Sequence, residues 1–183
     1  MDEPIVAIAT SVGVSALNII KLSGIDCIKI INNIFKGKDL EKVDSNTINY
    51  GYIIDGDKKI DEVLVSIFRA PKTYTREDVV EINCHGGIVS TNKILDLILS
   101  KGVRLAEPGE FLKRAFLNGR VDLVEAEAIQ DLILAKTDEA RKLSMNQIEG
   151  TTSKLINKLR DNIMEVSANI EVNIDYPEYE DAV

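Results

Sequence analysis

Cysteine, histidine, positive charge and long apolar runs are all scarce in this sequence, and each shortage removes a class of function. Cys27 and Cys84 are the only thiols. They show neither C-x-x-C spacing nor a dense framework, so neither a zinc site nor disulfide stapling is signalled. A reducing cytoplasm is the expected compartment. The 30 acidic and 22 basic residues leave a formal charge of -8, which repels phosphate backbones and provides no electrostatic footprint for nucleic acid. An RNA partner would have to be attracted by other parts of the protein. No apolar run approaches the ~20 residues of a membrane span, and Asp2 and Glu3 stand where a secretory signal carries positive charge. A soluble protein with no membrane partner is expected.

A nucleotide-binding loop is missing as well. Gly37-Lys38 is followed by Asp39 and has Asn32 where the first glycine of G-x-x-x-x-G-K-S/T belongs. None of the 11 glycines has an Asp three residues before it, and Asn157-Lys158 is followed by Leu159-Arg160 rather than by a base-reading Asp one residue further on. GTP hydrolysis is not expected of this chain alone, and no catalytic residue is assigned within it.

What is present is a chain of 183 residues, 45% hydrophobic, enough to bury a core in one domain or two small ones. Residues 5–9, 17–22, 47–54, 62–68 and 79–83 are short β-branched or alternating runs that read as strands. Residues 25–35 and 88–99 carry apolar side chains at helical spacing, with Gly37 and Gly102 in the cap positions that follow. Gly24 ends the second strand. From Pro108, read as a first-turn residue, strand signals cease; Gly119 is the expected stop, and a boundary near residues 117–121 follows. Beyond it, a helix over 123–135 precedes a long segment with Ile148, Leu155, Leu159, Ile163, Val166 and Ile170 on one stripe. Two helices leave a bundle half closed. The tail Tyr176-Pro177-Glu178-Tyr179-Glu180-Asp181 loses all periodicity. The fold class expected is α+β: a mixed α/β domain over residues 1–118 with about five strands and two to three helices, then an incomplete helical domain over 119–183.

Among groups able to carry chemistry, Cys84 and the single imidazole, His85, are neighbours at the end of a strand. Adjacent strand residues point to opposite faces, which weakens a thiol hydrolase reading and makes Cys84 a small buried hydrophobe. His85, before Gly86-Gly87, either orders the turn or faces a ligand. Lys21, Glu81, Glu110, Arg114 and Arg120 are charges on strand ends and short loops. Singly, each reads as a solvated or paired surface group. Glu81 stands apart, because its strand neighbours are apolar and it shares a face with Val79 and Asn83. A partly buried carboxylate there needs a donor.

The run Thr75-Arg76-Glu77-Asp78-Val79-Val80-Glu81-Ile82-Asn83-Cys84-His85-Gly86-Gly87 resembles the T-G-E-D-V-x-E-x-x-x-H-G-G stretch of the MnmE (TrmE) family of tRNA-modifying GTPases. Ala106-Glu107-Pro108-Gly109-Glu110-Phe111, Arg114-Ala115-Phe116-Leu117-Asn118-Gly119-Arg120 and Asp122-Leu123-Val124-Glu125-Ala126-Glu127-Ala128 are similar to the runs that follow it in that family. Residues 5–24 resemble the family's opening, and Ile174-Asp175-Tyr176-Pro177 resembles the run before its GTPase domain. The resemblance implies that residues 1–118 form a 5-formyltetrahydrofolate-binding and dimerising domain, with the folate as one-carbon source. It also implies that GTP, magnesium and potassium belong to a GTPase domain beyond this chain. The full protein would then act with the flavoprotein MnmG (GidA) to add carboxymethylaminomethyl to the wobble uridine of certain tRNAs.

Carried over position by position, the family's folate-contacting Arg, Glu and Lys fall on Lys21, Glu81 and Arg120. A carboxylate can accept two hydrogen bonds from a pterin ring N–H and its amine, and cations match a glutamate tail. The sequence departs from the family pattern at Thr10-Ser11-Val12-Gly13-Val14-Ser15, which lacks a Pro and a Gly, and at Arg76, which replaces a Gly. Both site cations are swapped, Lys for Arg at Lys21 and Arg for Lys at Arg120, which keeps charge and changes fork geometry. These departures motivate the alternative of an assembly module whose folate pocket is degenerate.

Overall fold

A computed structural model describes residues 3–11, 13 and 15–175 of the chain. Val12 and Val14 of the opening loop and the whole tail from Tyr176 lie outside the described residues. The chain divides into two compact units, Met1–Arg120 and Val121–Val183.

The first unit is built on one sheet of seven strands. They are β1 (Ile5–Ile8), β2 (Leu17–Ser23), β3 (Phe35–Lys36), β4 (Thr47–Asp55), β5 (Lys58–Phe68), β6 (Val79–His85) and β7 (Arg104–Leu105). Their order across the sheet is β3-β4-β5-β6-β2-β1-β7. All pairings are antiparallel except β1 with β7. Three helices accompany it: α1 (Cys27–Asn32), α2 (Ile88–Ser100) and α3 (Glu110–Leu117).

Strand alternation sorts the side chains onto two faces. Ile20 and Leu22 of β2, Val63, Val65 and Ile67 of β5, and Val80, Ile82 and Cys84 of β6 enter one hydrophobic core with Ile28 and Ile31 of α1 and Ile94, Leu97 and Ile98 of α2. The opposite face keeps Lys21, Glu81 and Asn83 only partly buried and leaves Leu17, Ile48, Tyr50 and Leu64 exposed. Helices α1 and α2 therefore cover one side of the sheet's centre, and the other side remains partly accessible.

The expected α+β class and all five long strands are present, with differences at the edges. The helix anticipated over residues 25–35 is only Cys27–Asn32, because Asp26 takes a left-handed conformation at its start. The chain then leaves the helix to pair Phe35 and Lys36 with Ile53 and Tyr52. Gly37 thus follows a strand rather than capping a helix. Gly102 does follow α2 with φ 87°, the conformation a helix end requires. Pro108 lies in the turn before α3, since Gly109 at φ 74° is the N-cap and Glu110 the first helical residue. The short strand β7, absent from the sequence reading, is tied by Arg104 N–H to Pro4 O and Ala106 N–H to Val6 O.

The second unit contains α4 (Leu123–Leu134), α5 (Asp138–Ile148) and α6 (Thr151–Asp175). Asp122 and Glu125 form a reciprocal capping box at the start of α4. The apolar stripe read from Ile148 to Ile170 is divided, because Gly150 at φ 75° separates α5 from α6. On α6, Leu155, Leu159, Ile163, Val166 and Ile170 are all exposed, and no residue of that helix is buried. The helix has the apolar stripe of a bundle element without the cover. Among the described residues, no helix is long and apolar enough to cross a membrane.

Candidate functional site

The register of two neighbouring strands sets the site. Lys21 of β2 and Glu81 of β6 are direct cross-strand partners. On the open face of the sheet their side chains meet with Nζ 3.3 Å from Oε1. Their strand neighbours Ile20, Leu22, Val80 and Ile82 are buried on the other face, so the packing that forms the core also fixes where the two charges point.

A cavity of about 560 Å³ opens above this pair, lined by Phe68, Pro71, Lys72, Thr73, Tyr74, Arg76, Val79 and Arg120 besides Lys21 and Glu81. That is within the ~300–1,000 Å³ usual for small-molecule sites. Tyr74 is its aromatic wall. Lys21 Nζ lies 4.6 Å from the Tyr74 ring centre, and Arg120 Cζ lies 5.1 Å from it. Lys21 Nζ is also 5.6 Å from the Phe111 ring. Cations so placed over an aromatic face gain ~0.5–2 kcal/mol each, more where water is excluded. Burial pushes the Tyr74 phenol up, while Arg120 opposes that shift.

The loop carrying Tyr74 is anchored from below. Ser23 Oγ is 2.6 Å from Thr75 Oγ1 and donates to Glu77 at 2.8 Å. Asn118 Nδ2 donates to Thr75 O at 2.6 Å, and Arg76 Nη1 donates to Asn118 O at 3.2 Å. Arg114, 2% exposed, pairs with Glu77 at 3.1 Å and with Glu110 at 3.2 Å. The stretch around Thr75 and the helix Glu110–Leu117 are therefore one hydrogen-bonded assembly, which brings Arg120, just past that helix, to the cavity.

Comparison with known proteins identifies the family. The family model described as GTP-binding protein TrmE N-terminus matches residues 4–120, and the MnmE helical domain model matches residues 123–183. The chain belongs to the MnmE family. It is 62% identical over 181 residues to the tRNA modification GTPase MnmE of Bacillus cytotoxicus and 61% identical over 181 residues to that of Bacillus anthracis, in each case covering 98% of this chain and 40% of the relative. It is 59% identical over 180 residues to that of Lactiplantibacillus plantarum, covering 97% of this chain and 39% of the relative. The chain thus spans about 40% of the length of the MnmE relatives it matches.

Of the charged residues singled out in the sequence, Lys21, Glu81 and Arg120 line the one cavity, and Glu110 and Arg114 do not. Those two are structural. Glu110 receives Arg104 at 2.6 Å and the Glu107 N–H at 2.8 Å, and the Arg104 guanidinium foremost holds its carboxyl down to about 2.

Cys84 and His85 do not form a dyad. Cys84 is wholly buried, with its Sγ 3.5 Å from Asn18 O and 3.8 Å from Thr91 Oγ1, and burial pushes its thiol up. His85 points the other way, its Nδ1 2.7 Å from Asp61 Oδ1, which raises the imidazole pKa. Its backbone N–H donates to Asp61 Oδ2 at 2.9 Å, so His85 fixes the end of β6 and lies outside the Lys21–Glu81 cavity. A Cβ on Gly86 would collide with the Ser15 carbonyl and hydroxyl. This close crossing of chains accounts for Gly86 of the MnmE-like His-Gly-Gly run.

Sequence reasoning missed Tyr74, Lys72, Phe68 and Thr73 as lining residues. Tyr74 adjoins the Thr75-Arg76-Glu77-Asp78 run, which was the available signal; Phe68 ends the strand β5, and Lys72 and Thr73 sit in a segment with no periodicity. Among the described residues, no group of three His, Cys, Asp or Glu side chains is placed to hold a metal ion.

Proposed function

We propose that the Met1–Arg120 unit binds a reduced folate, 5-formyltetrahydrofolate, and serves as the folate-binding and dimerising part of a tRNA-modifying GTPase. The supporting observation is the Lys21–Glu81 pair inside a cavity walled by Tyr74 and flanked by Arg120. The chemistry of these groups fits the ligand. Glu81, oriented by Lys21 at 3.3 Å, has the acceptor capacity to take a pterin ring N–H and amine, the Tyr74 face suits a flat ring system, and Arg120 suits a tail carboxylate. When bound, the folate would supply a one-carbon unit; the chain's own residues bind and orient it.

In the longer protein this reading assigns GTP hydrolysis, with magnesium and potassium, to residues outside this chain. Modification of the tRNA wobble uridine is assigned to the complex with MnmG in the cytoplasm. Calorimetry of the folded chain with 5-formyltetrahydrofolate tests the folate step: saturable binding is expected, and none at high micromolar ligand would sink it.

A second reading, an assembly module without folate, draws on the exposed apolar residues Leu17, Ile48, Tyr50 and Leu64 on the same sheet face. Contiguous apolar surface of this kind suits a second copy of the chain. Sedimentation of the chain as a dimer, together with absence of folate binding, would favour it.

A further inference from the structure

The cavity around Lys21 and Glu81 carries more positive charge than one ion pair needs. Its lining holds Lys21, Lys72, Arg76 and Arg120 against the single carboxylate of Glu81, in a chain whose formal charge is -8. Glu81 takes up Lys21 at 3.3 Å. Among the described residues, Lys72, Arg76 and Arg120 have no carboxylate at ion-pair distance. Arg76 is moreover held at φ 59°, a left-handed conformation uncommon for a residue with a Cβ. Its guanidinium is fixed there by Asn118 O at 3.2 Å. The local backbone thus carries a cation where a glycine would fit with less strain.

We infer that this cavity selects folates bearing more than one γ-linked glutamate, with Lys72, Arg76 and Arg120 receiving the tail carboxylates. The inference rests on the folate reading above. A folate with one glutamate has two tail carboxylates, and each further γ-linked glutamate adds one. Three cations without carboxylate partners exceed the two carboxylates of the monoglutamate and are first matched by a diglutamate. Each such pair is solvent-accessible and individually weak, a factor of ~1.4–5 in affinity, so the effect accumulates with tail length and is weakened by salt.

Calorimetry of the full chain with 5-formyltetrahydrofolate in its monoglutamate and triglutamate forms tests this, at low and at high ionic strength. The triglutamate is expected to bind roughly three- to tenfold more tightly at low salt. That advantage should narrow at high salt and in the doubly substituted Lys72→Ala, Arg76→Ala variant. Equal affinities for the two forms would overturn the inference and leave the folate reading standing. Binding of neither form by chain shown to be folded would overturn both. A triglutamate advantage undiminished in the double variant would overturn the assignment to Lys72 and Arg76.

Discussion

Lys21 and Glu81 face each other across the β2–β6 ladder, and their side chains close to 3.3 Å on the side of the sheet opposite α1 and α2. The pair is only partly solvent-exposed, 18% for Lys21 and 29% for Glu81. An ion pair of that accessibility contributes at most about 1 kcal/mol to folding, so the charges matter chiefly for what the cavity holds.

Replacing Lys21 by Met keeps the aliphatic stem and removes the ammonium. Folding stability is expected to change by no more than about 1 kcal/mol in urea unfolding. Folate affinity measured by calorimetry should fall several-fold. A large loss of stability with unaltered affinity would place Lys21 in the fold rather than in the site.

Tyr74 serves both cations, at 4.6 Å from Lys21 Nζ and 5.1 Å from Arg120 Cζ. Tyr74→Ala should weaken folate binding by about 0.5–2 kcal/mol, roughly two- to thirtyfold, whereas Tyr74→Phe retains the ring and most of the affinity. Equal losses in the two variants, read by calorimetry, would show that the hydroxyl rather than the ring face matters.

Arg114 is 2% exposed between Glu77 and Glu110. Truncating it to Ala leaves Glu77 without its ion-pair partner, while Glu110 keeps Arg104 at 2.6 Å, and is expected to cost about 3 kcal/mol in denaturant unfolding. The same network gives a pH signature. The Glu110 carboxyl is held down to about 2, foremost by Arg104, while the unfolded chain protonates it near ~4.3. The unfolded state therefore takes up the proton first as pH falls, and the stability that Glu110 contributes above that range is lost toward pH 2. The stability gap between the wild type and Glu110→Gln should shrink over that interval. A gap that stays constant would show that Glu110 does not titrate as described.

Both thiols should be inert in the folded state. Cys27 and Cys84 are wholly buried, and burial, aided by Asp78, pushes the Cys27 thiol up to about 12. Burial raises the Cys84 thiol too. An aromatic disulfide reagent is expected to label neither until denaturant is added. Rapid labelling of native chain would reopen a nucleophilic role for Cys84.

Much of the core was legible from residue patterns because alternation is a local signal. The run Val79-Val80-Glu81-Ile82 places Glu81 opposite to Val80 and Ile82, and the structure puts it there. The same rule separated Cys84 from His85. Helix α1 was over-extended because Ile28, Ile31 and Ile34 keep helical spacing, although Ile34 reaches the core from beyond the helix and Phe35 enters a strand. The break at Gly150 escaped notice because the apolar stripe continues across it. In the candidate site, Lys21 and Arg120 lie far from Glu81 in sequence, and only the family resemblance linked the three. Lys72 and Tyr74 lie in an irregular loop whose position depends on the Ser23–Thr75 and Asn118–Thr75 hydrogen bonds. No periodicity encodes those.

The folate reading is tested most directly by titrating 5-formyltetrahydrofolate into the wild-type chain and into Glu81→Gln by calorimetry. Glu81 lies on the open face, so the variant should fold as the wild type does. Hydrogen bonds to a charged group contribute ~1.5–3 kcal/mol each, so the wild type is expected to bind and the variant to lose at least about tenfold in affinity. Equal affinity of the two folded chains, or binding by neither, would contradict the assignment of Glu81 as the pterin acceptor.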